Sequence, residues 1–383
     1  MVDRIGQEEI DAVLEVMRRD PTCLSGFYKN FNGGPSVQQF EQDLADYNDV
    51  NYAVTCSNGT AALHLALMAA EIGPTDMVAV PPLTFSATAT AVLMQGAAPF
   101  FVDVEQSTWC MSPERFRKAA AEHPIRAVIV VNLLGVPAKL NEIKQTCDEY
   151  DIIFIEDNAQ ALGARFREAM AGGWGDLSTI SLQETKVITS LGEGGAVLTN
   201  EKHYMDRIKS LRNHGQQYPS PQTGVPSPFN CWNYRMTEAQ AAMGAVQLKK
   251  LDLFNAWHVE NRKIFIDALR GLGFTFQEAP PGGVGIFYIL GTTYEDSEKR
   301  HKILKALHED GWGEPKPGAT IGLGYTKTIM ELPLLRRYRQ PCPVADWLCD
   351  HGFWFDVHRW MHPERFKDVA MSIRKSIIRG LKS

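Results

Sequence analysis

The chain has 383 residues, beyond the size at which one hydrophobic core usually stops growing, so a large domain with a smaller companion is expected. With 44% hydrophobic and 22% charged residues the composition excludes a disordered or fibrous chain. A formal net charge of -6 argues against a nucleic-acid binder, so an anionic ligand must be held by local groups.

The first segment, MVDRIGQEEIDAVLEVMRRD, sets Ile5, Ile10, Val13, Leu14 and Met17 at roughly helical spacing among charges, which predicts an amphipathic helix and not a signal peptide. No apolar run approaches the ~20 residues that span a bilayer. Seven dispersed cysteines without a CxxC pair indicate neither a metal site nor a disulfide framework, and fit a reducing compartment. A cytoplasmic protein without a metal is expected.

From residue 52 to about 200, short apolar runs alternate with helical patterns. YAVTC precedes the helix TAALHLALMAA; MVAVPP, a helix through ATATAVLMQG, and PFFVDV follow. Then come AVIVVNLLG, the helix LNEIKQTCDEYD, IIFIED, TISL and GAVLTN. This alternation predicts an α/β domain with a mostly parallel sheet covered on both faces. Residues 216–232 hold four prolines and read as a long loop, of the length that usually carries function. A long helical pattern runs from MTEAQ to ALRGL, and the chain beyond mixes short strands such as GIFYIL with helices such as SEKRHKILKALHEDG. The predicted division is a large domain over residues 1–250 and a small α+β domain over 251–383.

Chemistry-bearing residues fall at the ends of these strands. Asp157 closes the run IIFIED, at the edge of an open α/β sheet where ligands bind; alone, it could equally cap the next turn. Ser57, Asn58, Gly59 and Thr60 lie between a strand and a helix, so the helix N-terminus offers N–H groups to an anion, although a plain N-capped helix reads the same way. Lys186 follows TISL, with Ser181 five residues before it. A lysine amine can form a Schiff base with pyridoxal phosphate, and a carboxylate against the pyridine nitrogen keeps that ring an electron sink.

The segments CSNGTAALHLAL, PPLTFSATATAV, GAAPFFVDVE, IEDNAQALGA, GDLSTISLQETK, LGEGGAVLTN, RNHG and NYRMTEAQAAMGAVQLKKL, in this order, resemble the DegT/DnrJ/StrS family of pyridoxal-phosphate aminotransferases. The resemblance is close over residues 5–255 and weak beyond. It implies the fold type I architecture of aspartate aminotransferase and pyridoxal 5'-phosphate as cofactor. It further implies Lys186 as the Schiff-base lysine, Asp157 as partner of the pyridine nitrogen, Phe85 stacked on the ring and Gln160 bonded to the phenolic oxygen. Gly59, Thr60 and Ser181 would hold the phosphate. Asn233 would reach the same phosphate across the interface of a homodimer.

Two departures stand out. The histidine that often follows the glutamine in this family is absent from Gln160-Ala161-Leu162, and Gln183 replaces a Phe or His of sugar-nucleotide members. The form SxQxxK is more like the branch that aminates inososes for aminocyclitol antibiotics. The expected activity is amino transfer from glutamate or glutamine to a ketone of a cyclitol or sugar. Arg212 and His214 are candidates for binding the donor carboxylate or substrate hydroxyls, with a helix C-terminal cap as the other reading. The alternatives are a nucleotide-linked keto-sugar acceptor, a dehydratase or lyase of the same family, and a regulatory protein that binds the cofactor without turnover. Lys327, Arg336, Arg337 and Arg359 are the cations that could serve a nucleotide diphosphate.

Overall fold

The computed structural model describes residues 4–22, 24–25, 32–215, 231–312, 320–322, 327–356 and 360–382. Most of the predicted long loop (216–230), Arg359, and parts of the segments around it and around residue 325 lie outside the described residues.

In chain order the elements begin with α1 (Gln7–Arg19), α2 (Pro35–Asn48), β1 (Tyr52–Cys56), α3 (Gly59–Ala69), β2 (Met77–Val80), α4 (Ala87–Met94), β3 (Ala98–Phe101), α5 (Pro113–Glu122) and β4 (Ile125–Val131). They continue with α6 (Leu140–Tyr150), β5 (Ile153–Asp157), β6 (Arg165–Phe166), β7 (Ala169–Met170), β8 (Leu177–Ser181), β9 (Gly195–Thr199), α7 (Lys202–Leu211) and α8 (Glu238–Leu269). The last are β10 (Phe274–Phe276), β11 (Gly283–Val284), β12 (Leu290–Tyr294), α9 (Ser297–Glu309), β13 (Thr320–Gly322), α10 (Pro343–His351), β14 (Gly352–Asp356) and α11 (Pro363–Lys382).

Seven strands form the main sheet in the order β1-β9-β8-β5-β4-β2-β3. All run parallel except β9, which is antiparallel to β1 and β8 on either side. Because β9 reverses direction between them, β1 and β8 end at the same edge. Successive residues of β5, β8 and β9 are buried regardless of the side they face, so both faces of the sheet are covered, as the near-continuous apolar runs require. Among the described residues no helix is long and apolar enough to cross a membrane.

A second sheet, β10-β12-β14-β13, is antiparallel throughout. With the end of α8, α9 and α11 it encloses a second core that includes Phe265, Leu290, Ile303, Leu307, Phe353, Phe355, Phe366 and Ile377. Other segments beyond residue 250 join the first core instead: Ile286, Tyr288, Ile289, Ile329, Met330 and Leu335 pack there. The predicted strand GIFYIL is displaced accordingly. The ladder begins only at Leu290, while Ile286 N–H bonds to Gly135 O at 2.8 Å and lays residues 285–289 against the main core.

Helix α1 forms where the amphipathic pattern predicts it, with its apolar stripe turned away from the core. Ile10, Leu14 and Met17 are exposed, whereas Glu9 and Val16 are buried against α8. Glu9 tolerates this because its carboxylate accepts from Lys250 at 2.7 Å, Gln247 at 2.8 Å and Gly6 N–H at 2.8 Å. Burial raises the Glu9 carboxyl pKa, but these bonds together outweigh it and leave the net value below the ordinary range.

Candidate active site

The site is assembled at the carboxyl edge of the main sheet. Strand pairing sets Cys56 opposite Gly195 and Gly195 opposite Ser181, so the ends of β1, β9 and β8 lie side by side. Helix α3 starts immediately after β1. Its N-cap, Asn58, accepts from Ala61 N–H at 2.8 Å, a bond of a kind worth about 1 kcal/mol. The N–H groups of Gly59 and Thr60 precede the first intrahelical bond and have no partner within the helix.

Close approach of backbone is what shapes this end. A β-carbon on Gly59 would lie 2.7 Å from Ser181 Cβ, and one on Gly195 would lie 2.6 Å from the carbonyl carbon of Asn58. Only glycine lets the helix start, β8 and β9 meet so tightly. The result is a cradle of N–H groups and one hydroxyl, with Thr60 exposed at its rim.

One strand over, β5 runs parallel to β8 with Asp157 opposite Thr179. The alternation of a strand sends Glu156 and Asp157 to opposite faces. Glu156 is wholly buried and accepts from the N–H groups of Gly172 (2.9 Å), Trp174 (2.7 Å) and Gly175 (2.9 Å), and from Asn132 at 3.2 Å. It ties the 172–175 turn to the sheet. Asp157 is 6% exposed and accepts from Thr88 Oγ1 at 2.8 Å and Ala159 N–H at 3.3 Å. Burial pushes its carboxyl above the ordinary carboxylate range; Thr88, Ala159 and the nearby Lys186 charge oppose that rise. A carboxylate so desolvated gains from a cationic partner.

Lys186 lies in the loop between β8 and β9, half-buried, its Nζ 5.4 Å from the centroid of the Tyr288 ring. Its charge is near enough to act on the Asp157 carboxyl, so the two predicted groups share one neighbourhood. Gln160, three residues beyond Asp157, accepts from Leu134 N–H at 2.8 Å through Oε1, which leaves its amide nitrogen as donor. Phe85 is 67% exposed, so it is not an ordinary core aromatic, and it stands three residues before the Thr88 that holds Asp157.

A model of the DegT/DnrJ/EryC1/StrS aminotransferase family matches residues 3–374, nearly the whole chain. The chain belongs to this family. Its cofactor is pyridoxal 5'-phosphate, and it is an enzyme of the aminotransferase class. Among curated relatives, the L-glutamine:2-deoxy-scyllo-inosose aminotransferase of Streptomyces kanamyceticus is 34% identical over 280 residues, 71% of this chain and 65% of that protein. The UDP-N-acetyl-3-dehydro-alpha-D-glucosamine 3-aminotransferase of Acidithiobacillus ferrooxidans is 30% identical over 350 residues, 90% of this chain and 89% of that one. Among solved structures, DesV of S. venezuelae superposes with a TM-score of 0.85 at 26% identity, covering 97% of this chain and 94% of its own.

Within this family member, one further sequence candidate is engaged elsewhere. Arg212 is buried at the C-cap of α7, where its guanidinium donates to Glu41 Oε1 at 2.5 Å, Thr55 O at 2.6 Å and Asn32 O at 3.1 Å. Its donors are committed inside the protein, which corrects its candidacy for a substrate carboxylate; the residue sits at the helix C-cap, but its guanidinium bonds these distant groups. His214 is exposed with φ 56°, its N–H on Trp232 O at 3.1 Å. Asn233 bridges Asn213 and is exposed. Trp232 and Tyr234 stack on each other and both contact His64, so Asn233 faces the other way. Tyr234 O accepts from Ser57 N–H at 2.8 Å, which fastens this segment beside the start of α3.

Sequence reasoning missed Thr88 and Tyr288. The threonines of LTFSATAT, four apart, were the available signal: Thr84 and Thr88 hydroxyls are 3.0 Å apart in a chain ending on Asp157. Tyr288, in an apolar run, carried no local signal. Among the described residues no cluster of His, Cys, Asp or Glu is arranged to hold a metal ion.

Proposed function

We propose that the protein moves an amino group from glutamate or glutamine to a ketone carbon of a cyclitol or free sugar. The observation that carries this reading is the convergence, at one sheet edge, of an anion cradle, a buried carboxylate and a primary amine. That set fits a small phosphate-bearing pyridine: the Gly59–Ser181 contact leaves no room for a β-carbon yet presents N–H groups, and Asp157 is desolvated. When bound, the cofactor supplies a carbonyl for amines and an electron sink.

In this reading Gly59 and Thr60 N–H groups and the Ser181 hydroxyl hold the phosphate. Phe85 would cover the ring, Gln160 would donate its amide to the phenolic oxygen, and Asp157, oriented by Thr88, would keep the ring nitrogen protonated. Lys186 Nζ would anchor the cofactor and, when freed, would serve as the general base that takes and returns the proton. Asn233, exposed on its own chain, serves the phosphate of a second copy, which makes the working unit a homodimer.

The acceptor side rests on less. Residues 216–232 contain neither Lys nor Arg to meet a diphosphate. Gln183 Oε1 accepts from Thr185 N–H and Oγ1, both at 2.7 Å, so it offers a neutral amide donor suited to hydroxyls. Similarity to the scyllo-inosose aminotransferase agrees with this choice. A nucleotide-linked keto-sugar is the second reading, favoured by the UDP-sugar relative that spans 90% of this chain and by the exposed Lys327. The test compares scyllo-inosose and related ketones with UDP-, GDP- and dTDP-linked keto-sugars, using glutamine or glutamate as donor. A preference for a nucleotide-linked acceptor that disappears when the nucleotide is removed selects the second reading.

A further inference from the structure

Lys186 is carried by a loop, residues 182–194, whose ends are paired in β8 and β9 but whose middle makes no ladder. A reactive amine on such a loop needs its backbone fixed to well under 1 Å if it is to meet its target. The loop backbone is held in an unusual way. Four successive carbonyls are each bonded by a side chain from a distant part of the chain. Arg4 donates to Glu184 O and, at 3.1 Å, to Lys186 O. The Tyr288 hydroxyl donates to Thr185 O at 2.9 Å, and Trp360 Nε1–H donates to Val187 O at 2.8 Å.

The holding groups also hold each other. The Arg4 guanidinium lies 3.5 Å from the centroid of the Trp360 ring, within the range of a strong cation–π contact. Gln247, wholly buried on α8, donates to Arg4 O at 2.5 Å and accepts from Thr189 N–H at 3.4 Å, so the helix ties the N-terminal segment to the far side of the same loop. The Tyr288 ring that anchors residue 185 is the ring beneath Lys186 Nζ. Carbonyls that only needed satisfying could be left to water. Ordering an arginine, a tyrosine and a tryptophan over four consecutive ones costs side-chain entropy and returns a rigid backbone.

We propose that Arg4, Tyr288 and Trp360 are positioning residues for Lys186: a clamp, built from the segments before α1, before β12 and before α11, that sets where the lysine amine stands. This inference rests on the proposed role of Lys186 as the reactive amine. It makes the N-terminal segment part of the working site of its own subunit, although Arg4 touches no reacting atom.

The test uses the full chain with Arg4→Lys, Tyr288→Phe and Trp360→Phe, and Lys186→Ala as reference. In cofactor-free protein, modification of Lys186 by trinitrobenzenesulfonate is followed against pH by peptide mass spectrometry, with the exposed Lys118 as internal standard; kcat, KM and Tm are measured alongside. A clamp role predicts a shifted pH profile for Lys186 alone, a fall in kcat of about 10- to 100-fold, and acceptor KM within about threefold. The Arg4→Lys, Trp360→Phe pair should fall no further than its worse member, because both act through one loop. An unchanged Lys186 profile and kcat in the folded variants would overturn the inference. If Arg4→Lys does not fold, Tyr288→Phe, which deletes a single oxygen, decides by the same two outcomes. Retention of borohydride-fixed cofactor by Lys186→Ala would instead sink the reactive-amine reading, and the clamp with it.

Discussion

Gly59 and Ser181, more than a hundred residues apart in sequence, touch so closely that a β-carbon on the glycine would lie 2.7 Å from that of the serine. The obstructing atom belongs to a strand, not to the free end of a side chain, so Gly59→Ala must push α3 off β8. The cost of such overpacking is about 1–3 kcal/mol. Cofactor affinity, read by fluorescence titration of the cofactor-free protein, should drop at least about tenfold. If Ser181 holds the phosphate as proposed, Ser181→Ala removes one bond to a charged group and should weaken binding by about 1.5–3 kcal/mol with little change in Tm.

Lys186→Ala should bind cofactor without a covalent link and lose transamination. Borohydride treatment followed by peptide mapping should mark Lys186 in the wild type and nothing in the variant. A colourless wild-type protein after incubation with pyridoxal phosphate would defeat the site assignment.

Asp157→Asn separates stability from function. Burial raises the carboxyl pKa in the folded state above its unfolded value. Its contribution to stability is therefore complete below the unfolded pKa and is lost as pH rises through the folded one. In cofactor-free protein the asparagine variant should melt higher than wild type at neutral pH, and the difference should vanish in acid. With cofactor supplied, kcat should fall by about 10²-fold or more, as when a preorganised charge is removed. Equal melting curves at every pH would mean that Asp157 carries no such penalty.

If Asn233 serves the second copy, mixing Lys186→Ala with Asn233→Ala subunits should restore activity, since one site of each hybrid then has both native groups. This requires that Asn233→Ala alone is clearly impaired. No recovery in a confirmed heterodimer would assign Asn233 to its own chain.

Arg212→Met tests the corrected role of the buried arginine. Its ion pair with Glu41 is almost wholly enclosed, the side chains 3% and 8% exposed. Removing one partner strands the other, at a cost of about 3–5 kcal/mol. Urea denaturation should report that loss, while KM for the amino donor in the surviving folded protein stays near wild type. A raised donor KM with unchanged stability would restore Arg212 as a substrate contact.

What the sequence by itself determined were the features that depend on near neighbours. The apolar runs YAVTC and IIFIED, the cap residues SNGT and the order of segments leading to Lys186 all depend on local periodicity and turn chemistry, and β1, β5 and α3 form where those patterns fall. The tertiary structure alone decided the use of each polar group. Glu9 and not the apolar stripe of α1 faces inward because Gln247 and Lys250 wait on α8. Arg212 is spent on Glu41 and Thr55, and Tyr288, inside an apolar run, ends on a carbonyl of the lysine loop. Such partners lie a hundred or more residues away, and a buried charge or hydroxyl is stable only where its partner stands. Periodicity reports which side of an element is apolar; it carries nothing about which distant donor will meet it.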